Sequence, residues 1–265
     1  MDVFKNIEEF IHYKRTLGTY SFSTDELKKH LKTSDGSINQ TLWRYQSKGK
    51  IYTIRKGFHL IITPEYSSSG IIPLQLFIDD MMKWLKRDYY ISLYSAAALY
   101  SAAHQQPQEY SVMTESPQLR KIVSNKIVIN FSQKEKWSWK DISKKKTDTG
   151  FINVSNQELT AFDLLSYLKH SGFERSVHII SELCDMLDKD KLLKTASRNN
   201  SISAIQRLGY LLEYELYRND LSEPLLKLIR KKKLHYIPLS PGKPKKGEFI
   251  TKWKIIKNIH INLDT

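Results

Sequence analysis

Cysteine is nearly missing from this 265-residue chain. The one residue, Cys184, can form neither an intramolecular disulfide nor a cysteine-rich zinc site, and its apolar setting in HIISELCDML points to a buried thiol. Long apolar runs are missing as well. No stretch approaches the roughly 20 residues that a membrane-spanning helix needs, and the opening MDVFKNIEEF has no basic region followed by an apolar one. A soluble, cytoplasmic protein with no membrane partner is expected. The common catalytic signatures are absent too: no Gly-rich phosphate loop, no HExxH, no Gly-x-Ser-x-Gly turn. His104, in AAHQQP, is expected to cap an alanine-rich helix and not to act as a general base, since no nucleophile accompanies it. A nuclease would gather two or three carboxylates and a lysine around a metal. Glu109, Glu115, Asp141 and Asp163 are scattered and are expected at the surface. The reading is therefore of a non-enzyme with no cofactor, metal or catalytic residue. A metal-dependent nuclease directed to DNA is the enzymatic alternative, with Asp163 and Glu109 as the residues to test.

Acidic residues are in deficit. Forty-two Lys and Arg stand against 28 Asp and Glu, a formal charge of +14, with an isoelectric point near 9.5. Such an excess favours a polyanionic partner, because each phosphate that a cation neutralises releases condensed counterions. Charge alone does not choose among DNA, RNA, an anionic membrane and simple solubility. Hydrophobic residues at 40% and charged residues at 26% are ordinary globular values, and the length suits two domains.

The apolar spacing of Phe4, Ile7, Ile11 and Leu17 predicts a first helix from Val3 to Leu17, closed by Gly18. Ser23 and Glu26 form a capping-box pattern that opens a short second helix, ending around Thr33. Asp35 and Gly36 supply a turn, and a third helix is expected from Ser37 to Lys48, with Ile38, Leu42 and Tyr45 on its buried face and Gly49 as its stop. Trp43 is expected in the core, the alternative being a position against sugar and phosphate. The period then changes to alternation. Ile51 to Arg55, a Lys56-Gly57 turn and Phe58 to Thr63 read as a hairpin.

Three short helices and a basic-tipped hairpin follow the order of a winged helix-turn-helix, whose third helix enters the major groove of DNA. The polar face of that helix offers Ser37, Asn39, Gln40, Thr41, Arg44 and Lys48, and the wing tip offers Arg55 and Lys56. Asn and Gln suit adenine edges, Arg suits guanine, and Lys suits phosphate. The bland alternative is a solvated polar face.

The fold class is read as α+β: a winged helix-turn-helix over residues 1–65, a linker over 66–75, and a larger mixed α/β domain over 76–265. In the second part, helices are expected over Leu74 to Arg87, Ser92 to Ala103, from Gln157 onward behind a Ser155–Glu158 capping box, and over Ser176 to Leu187, Lys191 to Ser197, Ser201 to Glu213 and Leu221 to Lys233. Strands are expected over Glu109 to Thr114, Lys126 to Phe131, Phe151 to Val154, Tyr236 to Leu239 and Phe249 to Ile256. A second basic concentration holds Arg230, Lys231, Lys232, Lys233, Lys243, Lys245 and Lys246. It would extend a nucleic-acid footprint, hold a protein or RNA in an adaptor role, or merely be solvated.

GFHLII at the end of the wing, followed by YYISLYSAAALYSAAHQQPQEYSVMT, resembles the AbiEi antitoxin family of bacterial type IV toxin-antitoxin (abortive infection, phage-defence) systems. The likeness is clearest over residues 1–130. It implies an N-terminal domain that binds inverted repeats in its own promoter as an autorepressor, with contacts from Ser37, Asn39, Gln40, Thr41, Arg44, Arg55 and Lys56. It also implies an antitoxin-type C-terminal domain that counteracts a nucleotidyltransferase-like toxin without a stable complex.

Overall fold

A computed structural model describes residues 3–31, 33–102, 109–199 and 201–263. The cap expected of His104 and the His-Gln-Gln-Pro turn lie outside them. The chain divides into two compact units, one of Met1–Tyr90, Gln108–Gln133 and Lys144–Asn153, the other of Ile91–Pro107, Lys134–Ser143 and Val154–Thr265.

In the first unit, α1 spans Ile7–Thr16. The Asn6 side chain accepts from the Glu8 and Glu9 amides, and acids in the first turn and bases in the last complement the helix dipole. Gly18 follows at φ +68°, the left-handed turn that stops the helix. A three-residue strand, β1 (Ser21–Ser23), comes next and was not expected; it is too short to show a period. Helix α2 (Thr24–His30) has the expected capping box of Ser23 and Glu26. Helix α3 runs Asp35–Ser47, two residues earlier than expected, because Ser34 and not the Asp35-Gly36 pair marks its start: the Ser34 hydroxyl accepts from the Ser37 amide. Strands β2 (Ile51–Arg55) and β3 (Phe58–Ile61) form the expected hairpin. The three strands are ordered β1-β3-β2, with Ser21 opposite Leu60 and Thr53 opposite His59. Ile7, Phe10, Phe22, Leu27, Ile38, Leu42, Tyr45 and Ile51 close one apolar core beneath them.

The stretch read as a linker is well packed. Pro64–Tyr66 and Leu74–Leu76 are 3-10 turns, Ile72 and Leu74 are buried, and the Lys126 ammonium donates to the Gly70 carbonyl at 2.9 Å. Helix α4 is only Ile78–Trp84, because the non-helical backbone at Phe77 (φ −139°, ψ −14°) breaks the expected longer helix. A six-stranded sheet follows: β4 (Tyr89–Ile91), β5 (Glu109–Thr114), β6 (Ile122–Val123), β7 (Val128–Gln133), β8 (Ile142–Thr147) and β9 (Gly150–Ser155), in the order β6-β7-β5-β4-β9-β8. Strands β5 and β7 pair in parallel over their whole length. The lysine run Lys144 to Lys146 belongs to β8, an edge strand, where lysines discourage further pairing.

The second unit is built on helices: α5 (Leu93–Ala98), α6 (Gln157–Ser166), α7 (Leu168–Ser171), α8 (Phe173–Cys184), α9 (Lys189–Arg198), α10 (Ile202–Tyr210) with a π turn over Leu211–Glu215, and α11 (Asn219–Ile229). Leu93, Phe162, Ile180, Leu208 and Leu225 lie in its core, as does Cys184, whose thiol pKa is raised by burial. The Ser155–Glu158 capping box does not form. Asn156 caps α6 by accepting from the Leu159 amide at 2.8 Å, while Ser155 pairs with the Thr160 hydroxyl and the buried Glu158 accepts from the Asp188 amide. Nor are Asp141 and Asp163 surface residues. Asp163 is fully buried and accepts from the Lys134 ammonium at 2.7 Å; Asp141 accepts from the Thr195 hydroxyl at 2.8 Å and from the Arg198 guanidinium at 3.0 Å. Each escapes the cost of burying a carboxylate by being paired.

The expected strand Phe249 to Ile256 is two strands. A small sheet is ordered β10-β12-β11, with β10 at Ile237–Pro238, β11 at Glu248–Ile250 and β12 at Ile255–Lys257. Trp253 lies in the turn between β11 and β12, fully buried, its indole N–H donating to Glu213 at 2.8 Å. The ring packs directly on Gly209, where an added Cβ would come within 2.1 Å of it.

Candidate nucleic-acid interface

Amphipathicity decides which face of α3 is free. Ile38, Leu42 and Tyr45 point into the core, so Ser37, Asn39, Gln40, Arg44 and Lys48 are exposed and Thr41 is half-buried. The structure thus brings the expected residues together on one helix. Trp43 is a correction: it is 72% exposed on the same helix, because the core is already filled by its neighbours Leu42 and Tyr45. The wing residues Arg55 and Lys56 stand at the β2-β3 turn, where Gly57 adopts φ +87°. Arg44, Lys48, Arg55 and Lys56 make no salt bridge among the described residues. Lys14, Lys28 and Lys50, by contrast, pair with Glu26, Asp35 and Glu8. Among the described residues, four cations therefore remain without an anionic partner on α3 and the β2-β3 turn.

A buried polar link fixes the wing against the helices. His59, 4% exposed on β3, lies within 2.9 Å of the Thr24 hydroxyl through Nε2 and within 2.9 Å of the Thr53 hydroxyl through Nδ1. Thr53 in turn donates to Gln46 of α3 at 2.7 Å. The imidazole also stacks on Phe22, with ring centroids 5.2 Å apart. Burial drives the His59 pKa down to about 4, so the ring is neutral near neutral pH and one nitrogen donates while the other accepts. Sequence reasoning missed this link. The only trace of it is a histidine inside the apolar run Phe58 to Ile61.

Arg230, Lys231, Lys232 and Lys233 lie exposed just after α11, and Lys243, Lys245 and Lys246 lie exposed on the loop between β10 and β11. The other acids weighed for catalysis do not converge. Glu109 is exposed and paired with Asn130 and Lys121, and Glu115 is exposed. Among the described residues no group of three or more His, Cys, Asp or Glu could hold a metal ion, and no helix is long and apolar enough to cross a membrane.

Residues 90–214 match the family model of the AbiEi antitoxin C-terminal domain. That stretch is similar to the AbiEi antitoxin C-terminal domain. The match fits a role in a toxin-antitoxin system. The crystal structure of the RV2827C protein from Mycobacterium tuberculosis superposes with a TM-score of 0.67 over 96% of this chain and 92% of that one, at 11% identity; at that identity the likeness is one of fold. An antigenic nucleotidyltransferase-like protein from Paracoccidioides brasiliensis aligns over 56% of this chain and 88% of its own with a TM-score of 0.39 and 11% identity, too low for the two to be treated as one fold. No curated protein matches the sequence. The AbiEi match begins at β4 and ends in the π turn after α10, so it covers neither α3 and the wing nor the basic C-terminal loops.

Proposed function

We propose that this chain is an AbiEi-type DNA-binding autorepressor and antitoxin without catalytic activity. Residues 1–65 act as a winged helix-turn-helix, and the chain beyond residue 75 opposes a nucleotidyltransferase-like toxin of a type IV system without a stable complex. The observation that carries the DNA half is the exposed face of α3, with Asn39, Gln40, Trp43 and Arg44, beside a hairpin turn whose Arg55 and Lys56 meet no anion among the described residues. The order α1-β1-α2-α3-β2-β3 supports it, since this is the order in which a winged helix-turn-helix presents its recognition helix. On this reading Ser37, Thr41 and Lys48 hold phosphates, Asn39, Gln40 and Arg44 read base edges, and Arg55 and Lys56 reach the backbone or the narrower groove. Partners are the chain's own promoter, at inverted repeats, and the toxin.

The test is a mobility-shift titration of the full chain on the duplex upstream of its own gene, at several salt concentrations. Replacing Arg44 and Arg55 by Ala should weaken binding and flatten its salt dependence. Unchanged binding would overturn the assignment. The antitoxin half is tested by co-expression with a nucleotidyltransferase encoded next to this gene, where rescue of growth is expected.

A further inference from the structure

The small C-terminal sheet has two unlike faces. Pairing places Ile237, Ile255 and Ile250 in one row, and these pack into the helical core. The same register puts Pro238, Ile256 and Phe249 in the opposite row, with Tyr236 one step before β10. On that outer face Ile256 is buried at the centre, and the aromatics beside it are exposed. Phe249 is 60% exposed and Tyr236 is 38% exposed, their ring centroids 5.1 Å apart in an edge-to-face pair, and the Lys254 ammonium lies 4.8 Å from the Tyr236 centroid.

The surrounding segment is cationic. From residue 227 to 257 it holds eleven Lys and Arg and one acid, Glu248. Two of the eleven are neutralised, Lys252 by Glu213 and Lys257 by Glu215. The loop with Lys243, Lys245 and Lys246 is built, not loose: the Asn258 amide donates to the carbonyls of Ser240, Lys243 and Pro244. Gly247 lets that loop pass so close to Lys257 that an added Cβ would meet its carbonyl at 2.0 Å.

We infer that this face, formed by Tyr236, Phe249 and Lys254 and flanked by Lys231 to Lys233 and Lys243 to Lys246, binds single-stranded nucleic acid. Aromatic rings on a sheet stack on unpaired bases, which a duplex keeps inside its own stack, while the lysines take the phosphates. This site is separate from the duplex reading of α3 and does not rest on it.

The test uses the full chain and a variant carrying Arg44→Ala and Arg55→Ala, so that duplex binding at α3 and single-strand binding here fail independently. Fluorescence anisotropy is followed with labelled oligonucleotides of about 16 nucleotides, one RNA, one DNA of the same sequence and one duplex. Both proteins should bind at least one of the single strands, and comparison of the two strands tells which sugar is preferred. Phe249→Ala should weaken that binding roughly five- to a hundredfold without changing duplex affinity, and Phe249→Tyr should restore it. Replacing Lys243, Lys245 and Lys246 together by Ala should lower the salt slope by about 2. Thermal melting of each variant checks the fold; if Phe249→Ala does not fold, Phe249→Leu, which fills the sheet without stacking, takes its place. The inference is overturned by no single-strand binding at low salt, by losses that follow the lysines but never Phe249, or by capture of anionic vesicles with oligonucleotides ignored.

Discussion

The exposed face of α3 and the helical core of the second unit treat charge in opposite ways. On α3 and the β2-β3 turn of the first unit, the exposed Arg44, Lys48 and Lys56 and the half-buried Arg55 have no counter-ion among the described residues, and His59, buried on β3, is kept neutral. In the helical core of the second unit, charges go inside. Asp163 and Asp141 are buried carboxylates, met by the half-buried Lys134 and by Arg198 at the surface, and Arg207, donating to the carbonyls of Pro238 and Leu239, is pushed down to about 10 by burial. Charge held outward is left for whatever arrives to neutralise it. Charge held inward serves the fold, because a buried carboxylate has no water to replace a lost partner.

Removing a buried partner should break this contrast most sharply. Asp163→Ala should cost about 3 to 5 kcal/mol in urea unfolding, since it strands the Lys134 ammonium; a loss below about 1 kcal/mol would mean that water solvates the site. Next comes pH. The folded His59 pKa is about 4 against 6.5 for a free imidazole, so the unfolded chain takes up the proton first as pH falls. Stability is full above pH 6.5 and drains between 6.5 and 4 by up to about 3 kcal/mol. His59→Gln should remove that slope, and an unchanged profile would place the titration elsewhere. Gly209→Ala should lower stability by about 2 kcal/mol through overpacking against Trp253, read as a drop in melting temperature. The smallest effect on stability belongs to Arg44→Ala with Arg55→Ala, within about 0.5 kcal/mol of wild type. Their effect should be on duplex affinity, and a large stability loss would show that these arginines serve the fold after all.

Local signals carried the N-terminal part well. Ser23 with Glu26, Gly18, Gly49 and the Lys56-Gly57 turn act within a few residues, so the helices and the hairpin were readable to within four positions. Signals that depend on distant partners were not. Glu158 looked like a cap because it stands three residues after Ser155, but Asp188, thirty residues on, claims it. Asp141 and Asp163 looked like surface acids because Arg198 and Lys134 are far away in sequence. Trp43 looked like core because burial is the rule for its type, and only the filled space around Leu42 and Tyr45 left it outside. Of the candidate interface, the side chains of α3 and the wing tip were legible. The His59 link to Thr24, Thr53 and Gln46 was not, and neither was the Tyr236–Phe249 face.

The sequence by itself determined the basic balance, the helix and hairpin order of the first sixty residues, and the buried thiol of Cys184, because composition, period and caps are properties of neighbours along the chain. Only the tertiary structure decided which acids are buried, where the supposed linker packs, and that one strand near the C-terminus is two with Trp253 locked between them. Those outcomes depend on which distant residue fills a cavity or meets a charge, and no spacing along the chain records that.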